Sequence, residues 1–231
     1  MMTDRNQPKN NRRGGLAERA YEYLKDMLIT GRTNSDEWFP IEEIASQMDM
    51  SRQPVMDALR RLSIEGFVDI VPQVGCRPRK PSLGEVRDFF HLFSEGEALV
   101  AALAAERADG DDILRMQLIS AQIGALANRR TSAGNVDDMY RVLNRRLHSE
   151  MRRATKSPSV AEIVESLGDR SDFFITFSSD KVFSPNLELI HAEHEEIIDA
   201  IADHDVERAR KTMKNHILAI EQRLESSFPN S

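Results

Sequence analysis

Ser51-Arg52-Gln53-Pro54-Val55-Met56-Asp57-Ala58-Leu59-Arg60-Arg61-Leu62 decides how the first third of this chain folds. Val55, Ala58, Leu59 and Leu62 recur at helical spacing and form one apolar stripe. Ser51 stands where a helix N-cap belongs, and Pro54 falls in the first turn, where a missing N–H costs least. Just upstream, Ile41-Glu42-Glu43-Ile44-Ala45-Ser46-Gln47-Met48 reads as a shorter amphipathic helix, with Ile41, Ile44, Ala45 and Met48 on one face. Asp49 and Met50 turn the chain between them. A short helix, a tight turn and a second helix led by exposed Ser51, Arg52 and Gln53 is the helix-turn-helix arrangement. In that geometry the leading residues of the second helix reach base edges in the major groove.

Downstream, Glu65-Gly66 stops the helix and Phe67 to Val71 reads as a strand. Pro72-Gln73-Val74-Gly75 turns, and Cys76-Arg77-Pro78-Arg79 returns, giving a two-stranded wing that carries Arg77, Arg79 and Lys80. Such cations suit phosphate contacts. The competing reading is a small helical subdomain with a solvated basic hairpin.

Ser51-Arg52-x-Pro54-Val55-x-x-Ala58-Leu59-x-x-Leu62, then Glu65-Gly66 and Gly75, resembles the GntR family of winged-helix bacterial transcription regulators. The resemblance implies that Ser51, Arg52 and Gln53 face DNA and that Gly75 sits at the wing tip near the minor groove. Two positions depart from the family pattern. Met56 stands where arginine is usual, and Glu42 stands where arginine or a polar donor is frequent.

The remainder fits around this unit. At 231 residues the chain has room for two modest domains, and 40% hydrophobic content with only 6% aromatics suits a helical protein. No run approaches the roughly 18 apolar residues of a membrane span. The single Cys76 excludes an internal disulfide and a cysteine-rich zinc site. These features, with no visible signal peptide, lead us to expect a cytoplasmic protein without membrane partners. The net charge of −7 is uneven: residues 1–81 hold 13 Lys and Arg against 12 Asp and Glu, and the rest carries a balance of −8. A near-neutral domain can still present one basic face.

Residues 1–15 are expected to form a polar, disordered arm, and 16–80 the winged domain. Leu16, Ala20, Leu24, Met27 and Leu28 outline a first helix stopped by Gly31, and Trp38 and Phe39 are expected beneath the second helix of the helix-turn-helix. Ser35-Asp36-Glu37 replaces the family's usual Pro-Gly turn. An all-helical domain is expected over 82–227. Ser82 with Glu85 fits a capping box for a helix running to about Ala108, with Phe89, Leu92, Phe93 and the Leu99–Ala105 segment turned inward. Asp109-Gly110-Asp111 breaks it, and helices follow at about 112–129 and 135–155. Ser157-Pro158 and Ser184-Pro185 open two more, the second over about 185–203, and Asp205 caps a last one over about 206–227. The fold class is therefore mainly α, a winged helix-turn-helix followed by a helical bundle.

Asn144 and His148 lie four apart on one helix face, and His194 and His216 lie on two later helices. Three helices supplying imidazoles can surround a metal, and three imidazoles plus an oxygen suit zinc, nickel and similar ions. By spacing alone, scattered histidines are more often surface or satisfied core residues, the reading given to His91, His191 and His204. The region 85–227 resembles the FCD effector domain of the FadR subfamily through Asn144, His148, Glu193-His194-x-x-Ile197-x-x-Ala200-Ile201 and Ala209-x-x-x-Met213-x-x-His216. The resemblance implies that Asn144, His148, His194 and His216 hold a divalent metal, zinc or nickel, beside a small organic-acid effector. Relatives often have aspartate at 144 and an arginine near Phe93, for which Arg141 and Arg152 are candidate substitutes.

The function that follows is a homodimeric, DNA-binding repressor whose operator affinity answers to a small carboxylate. Two other readings stand beside it: a DNA-binding regulator whose helical domain only dimerises, and a metal-dependent hydrolase built on the three histidines. The hydrolase lacks an accompanying general base such as a His-Glu-x-x-His helix would bring.

Overall fold

The computed structural model describes residues 10–33, 37–127, 133–177 and 182–225. Among them are nine α-helices and one two-stranded sheet, divided into two compact units, Met1–Lys80 and Pro81–Ser231. Parts of four expectations lie outside the described residues: 1–9 of the arm, Ser35-Asp36 of the loop, and the helix ends at 128–129 and 226–227.

In the first unit, helix α1 (Asn10–Ile29) begins inside the stretch expected to be disordered, so 10–15 are helical rather than arm. Ala20, Leu24 and Leu28 are buried where α1 packs against α3. Helix α2 (Ile41–Gln47) ends in a Schellman turn, with Asp49 in the left-handed region (φ 52°) and Met50 N–H donating to the Ala45 carbonyl at 3.0 Å. Asp tolerates that conformation better than most residues with a side chain. Helix α3 (Arg52–Ile64) buries Val55, Ala58, Leu59 and Leu62, the stripe read from the sequence. Gly66 (φ 77°) closes it with Phe67 N–H bonded to the Leu62 carbonyl at 2.9 Å.

Strands β1 (Val68–Val71) and β2 (Gly75–Pro78) pair antiparallel, with Val71 opposite Gly75. Gly75 is therefore the first residue of the return strand, and the turn itself is 72–74. Its place is set by Trp38, whose ring would lie 3.2 Å from any Cβ at this position. The expectation that Trp38 lies under α3 is corrected: it is 41% exposed, with its ring against Gly75 and the Arg77 guanidinium 5.3 Å from its centroid. It props the wing. Phe39 is buried, and its N–H ties the loop to the Cys76 carbonyl at 2.8 Å.

The second unit contains α4 (Leu83–Arg107), α5 (Gly110–Ala127), α6 (Ala133–Ala154), α7 (Pro158–Ile175), a 3₁₀ turn (Ser184–Asn186), α8 (Leu187–Ala202) and α9 (Val206–Glu225). Ser82 caps α4 by accepting the Glu85 N–H at 3.2 Å, and Asp205 caps α9 by accepting the Arg208 N–H at 3.0 Å. Alanines 98, 101, 102, 104 and 105 are buried, and small side chains here let α4 approach α9 closely. Leu92 and Leu99, expected inside, instead face outward at 62% and 38% exposure. Their spacing of seven puts them on one face of α4. Among the described residues no helix is long and apolar enough to cross a membrane.

Candidate metal centre and nucleic-acid interface

Helices α6, α8 and α9 each turn one imidazole into the interior of the second unit. His148, His194 and His216 are all buried, and one ring nitrogen from each lies within 4.8 Å of the others. Each position follows from local helix packing. His148 sits between buried Leu147 and Met151, His194 one turn from Ile190 and Ile197, and His216 between Met213 and Ile217. An imidazole in such a stripe must leave water. Both nitrogens of His194 and Nε2 of His216 have no hydrogen-bond partner, and Nδ1 of His148 faces the Glu97 carboxylate at 3.3 Å. Unpartnered buried nitrogens are costly, and a cation accepting their lone pairs satisfies them.

The surrounding charges agree. Burial, with His216 and His148 beside it, pushes His194 well below the ordinary imidazole range, and burial also lowers His216. Neutral imidazole is the form that ligates metal. Glu193 accepts from His216 Nδ1 at 2.7 Å and is itself held by Arg223 at 2.8 Å, which leaves His216 Nε2 facing the cluster. A carboxylate behind a ligating histidine fixes its tautomer in this way. Glu97, fully buried on α4, lies 3.3 Å from His148 Nδ1 and accepts from Arg152 at 3.0 Å. Burial raises its carboxyl, but His148 and Arg152 outweigh that and keep it lowered.

Asn144 lies one turn before His148, and its Oδ1 accepts the Tyr140 hydroxyl at 3.0 Å. That oxygen has a second lone pair. A cavity of about 270 Å³ opens beside the cluster and is walled by Asn144, His148, Glu97 and Arg152, with Arg145 and Asp172 also on the wall. Arg145 bonds Asp172 at 2.6 Å. Of the two arginines singled out in the sequence, Arg152 reaches this wall. Arg141 lies instead with its guanidinium 5.6 Å over the Phe183 ring, its Nη1 buried without a partner. Phe93 lines the cavity as a buried apolar residue. Glu97 and Arg145 escaped the sequence reading, which quoted Glu193 in a motif but gave it no role. A glutamate four residues after Phe93 inside an alanine-rich buried helix was the available signal for Glu97, since unpaired acids are rarely buried.

On the first unit, Ser51 begins α3 with extended backbone and no capping bond from its hydroxyl. Arg52 and Gln53 are exposed beside it. Gln53 donates to Asp57 at 2.9 Å, and the Arg52 guanidinium meets Glu42 of α2 at 3.3 Å. A groove between α3 and the wing is lined by Glu42, Arg52, Met56 and residues 70–76. Arg77 points out from β2 and Lys80 follows, both exposed, with Arg79 half-buried between them. The sequence-designated residues Ser51, Arg52, Gln53, Gly75, Arg77 and Arg79 thus gather along the recognition helix and wing of one small domain.

The winged helix-turn-helix of the first unit marks a DNA-binding protein, and comparison with known proteins gives its class. Residues 16–77 match the gntR family of bacterial regulatory proteins, and residues 97–219 match the FCD domain. The chain belongs to the GntR family, in its FCD-bearing branch, and is a DNA-binding transcriptional regulator rather than an enzyme. It is 25% identical over 200 residues to the HTH-type transcriptional repressor GlaR of Escherichia coli K12, covering 86% of this chain and 90% of that one. The Uxu operon transcriptional regulator of the same organism is 24% identical over 231 residues, covering 90% and 88%. Among solved structures, E. coli McbR/YncC shares the fold with a TM-score of 0.75 at 19% identity, covering 90% of this chain and 97% of that one. A GntR regulator from Rhodococcus sp. RHA1 does so at 0.71, also at 19% identity, covering 92% and 98%.

Proposed function

We propose that this regulator is a homodimeric repressor that binds operator DNA through Ser51, Arg52, Gln53 and its wing, and releases it in response to a small carboxylate sensed beside a metal. The observation that carries the reading is the convergence of three buried imidazoles with unpartnered nitrogens next to a cavity. His148, His194 and His216, with Asn144 Oδ1, would hold a divalent ion, zinc or nickel by donor set. When bound, such an ion supplies a positive centre for an effector carboxylate, and Arg152 flanks the same cavity. Arg77, Arg79 and Lys80 supply phosphate contacts, with Gly75 letting the wing close on Trp38.

Dimerisation is supported by Leu92 and Leu99, large apolar side chains left outward on one face of α4. A dimer also multiplies the discrimination that one recognition helix can achieve. This reading places the chain in the cytoplasm, where operator DNA lies. GlaR is named a repressor, and that sign of control is carried over here.

The test is elemental analysis of purified protein, with melting curves in chelator and in added zinc or nickel. The expected result is close to one metal per chain, a midpoint raised by metal and lowered by chelator, and loss of both effects in His194→Ala. A metal-free protein whose melting ignores all three additions would leave these histidines as packing residues. The regulator whose helical unit only dimerises would then be the better reading.

A further inference from the structure

We infer that Glu42 and Arg52 act as one reader of a single G·C base pair in each half-site, the guanidinium taking the guanine and the carboxylate taking the cytosine. The inference rests on the operator-binding reading above and adds a base identity to it. Glu42 opens the exposed side of α2, Arg52 is the first residue of α3, and their side chains are 72% and 63% exposed with Arg52 Nη1 3.3 Å from Glu42 Oε1. Both line the groove between the recognition helix and the wing.

So exposed an ion pair contributes little to folding. On a face that approaches phosphates, an isolated carboxylate is also a repulsive charge. Its position makes sense if it meets a donor on a base edge. Across the major groove a G·C pair presents acceptor, acceptor, donor: guanine N7, guanine O6, cytosine N4. An arginine fork satisfies the first two, and a carboxylate beside it accepts from the third. Guanine O6 and cytosine N4 are bonded to each other, so they lie about 2.9 Å apart. The 3.3 Å between the two side-chain atoms matches that step. An A·T pair presents acceptor, donor, acceptor instead, which leaves the fork half-used and sets the carboxylate against thymine O4. The pairing also holds the guanidinium in place before DNA arrives, so less rotamer freedom is lost on binding.

The test is selection of duplexes from a randomised pool by the full-length chain and by Glu42→Ala, Glu42→Gln and Arg52→Ala. Affinities are then measured for the selected site and its single-pair variants. The native chain should fix one G·C pair per half-site and lose about tenfold or more when that pair becomes A·T or C·G, as a good base contact does. Glu42→Ala should melt like the native chain, and its penalty at that one pair should fall to about threefold or less, other positions keeping theirs. Arg52→Ala should lose the preference altogether, and Glu42→Gln should tolerate A·T better, since an amide side chain pairs well with adenine. Glu42→Ala with undiminished discrimination and merely tighter binding would make the carboxylate a plain repulsive charge and overturn the inference. A native chain that enriches no sequence would instead overturn the operator reading itself, and this inference with it.

Discussion

Asp109 and Asp112 cap the start of α5 reciprocally: the Asp112 N–H donates to Asp109 Oδ1 at 2.9 Å, and the Asp109 N–H to Asp112 Oδ2 at 3.2 Å. The Asp112 side chain is 1% exposed and is approached by Lys156 and Arg115. Burial pushes its carboxyl up, but Lys156, the Asp109 N–H and Arg115 prevail and hold it at about 2, below the ordinary 3.8. A folded-state value below the unfolded one stabilises the protein above about pH 4, and that contribution is lost as pH falls toward 2. Asp112→Ala should therefore cost about 1–3 kcal/mol at neutral pH. It should also flatten the loss of stability between about pH 4 and pH 2. Urea melts at the two ends of that window decide it, and equal acid losses in both proteins would assign the limb to other carboxylates. The sequence shows only a helix break at Asp109-Gly110-Asp111. The cation that makes Asp112 a burial site is 44 residues on, and no local pattern announces it. The roles of Glu97 and Glu193 were hidden for the same reason, being defined by Arg152, His148, His216 and Arg223 on other helices.

Between elements, α5 and α8 meet where Gly124 leaves room for His191. A Cβ on residue 124 would lie 2.5 Å from His191 Nε2, while the other ring nitrogen is 3.4 Å from Ser120 Oγ, a hydroxyl that donates to Glu195. Alanine in a helix interior is favoured over glycine by about 0.5–1 kcal/mol. Unseating the imidazole forfeits a contact of about 1 kcal/mol. Gly124→Ala alone should thus be neutral or destabilising, whereas in a His191→Ala background it should stabilise by about 0.5–1 kcal/mol. Thermal melts of the four proteins settle the sign, and the same effect in both backgrounds would mean His191 does not constrain Gly124. Elements were the most legible scale of this chain. The caps at Ser82 and Asp205 and the apolar stripe of α3 follow from periodicity and side-chain chemistry, and the structure has them. Faces were less legible. Leu92 and Leu99 are apolar and at helical spacing, yet they point outward, because which side of a long helix is buried is decided by neighbours far along the chain. Trp38 similarly looked like core and is a half-exposed prop for the wing.

Over the whole molecule, the charge division read from the sequence separates two tasks: the near-neutral winged unit meets DNA, and the acidic helical unit carries the histidine cluster. If the second unit senses a ligand on behalf of the first, the two binding events share one coupling free energy, and each must change the other by the same factor. Allosteric couplings typically amount to factors of roughly 5–150. The expectation is that zinc together with an effective carboxylate lowers operator affinity by a factor in that range, and that operator-bound protein takes up the carboxylate more weakly by the same factor. Two anisotropy titrations, DNA against protein with and without ligand, and the carboxylate competed against a labelled one with and without DNA, measure both sides. His194→Ala should reduce both factors to one while the winged unit, with its own core of Ala20, Leu24, Leu28, Leu59 and Leu62, still binds DNA. A protein that binds zinc tightly yet shows a factor of one with every carboxylate tried would have a structural metal and no sensor. The helical unit would then serve only to hold two winged units together, since a ligand that binds both states equally shifts neither.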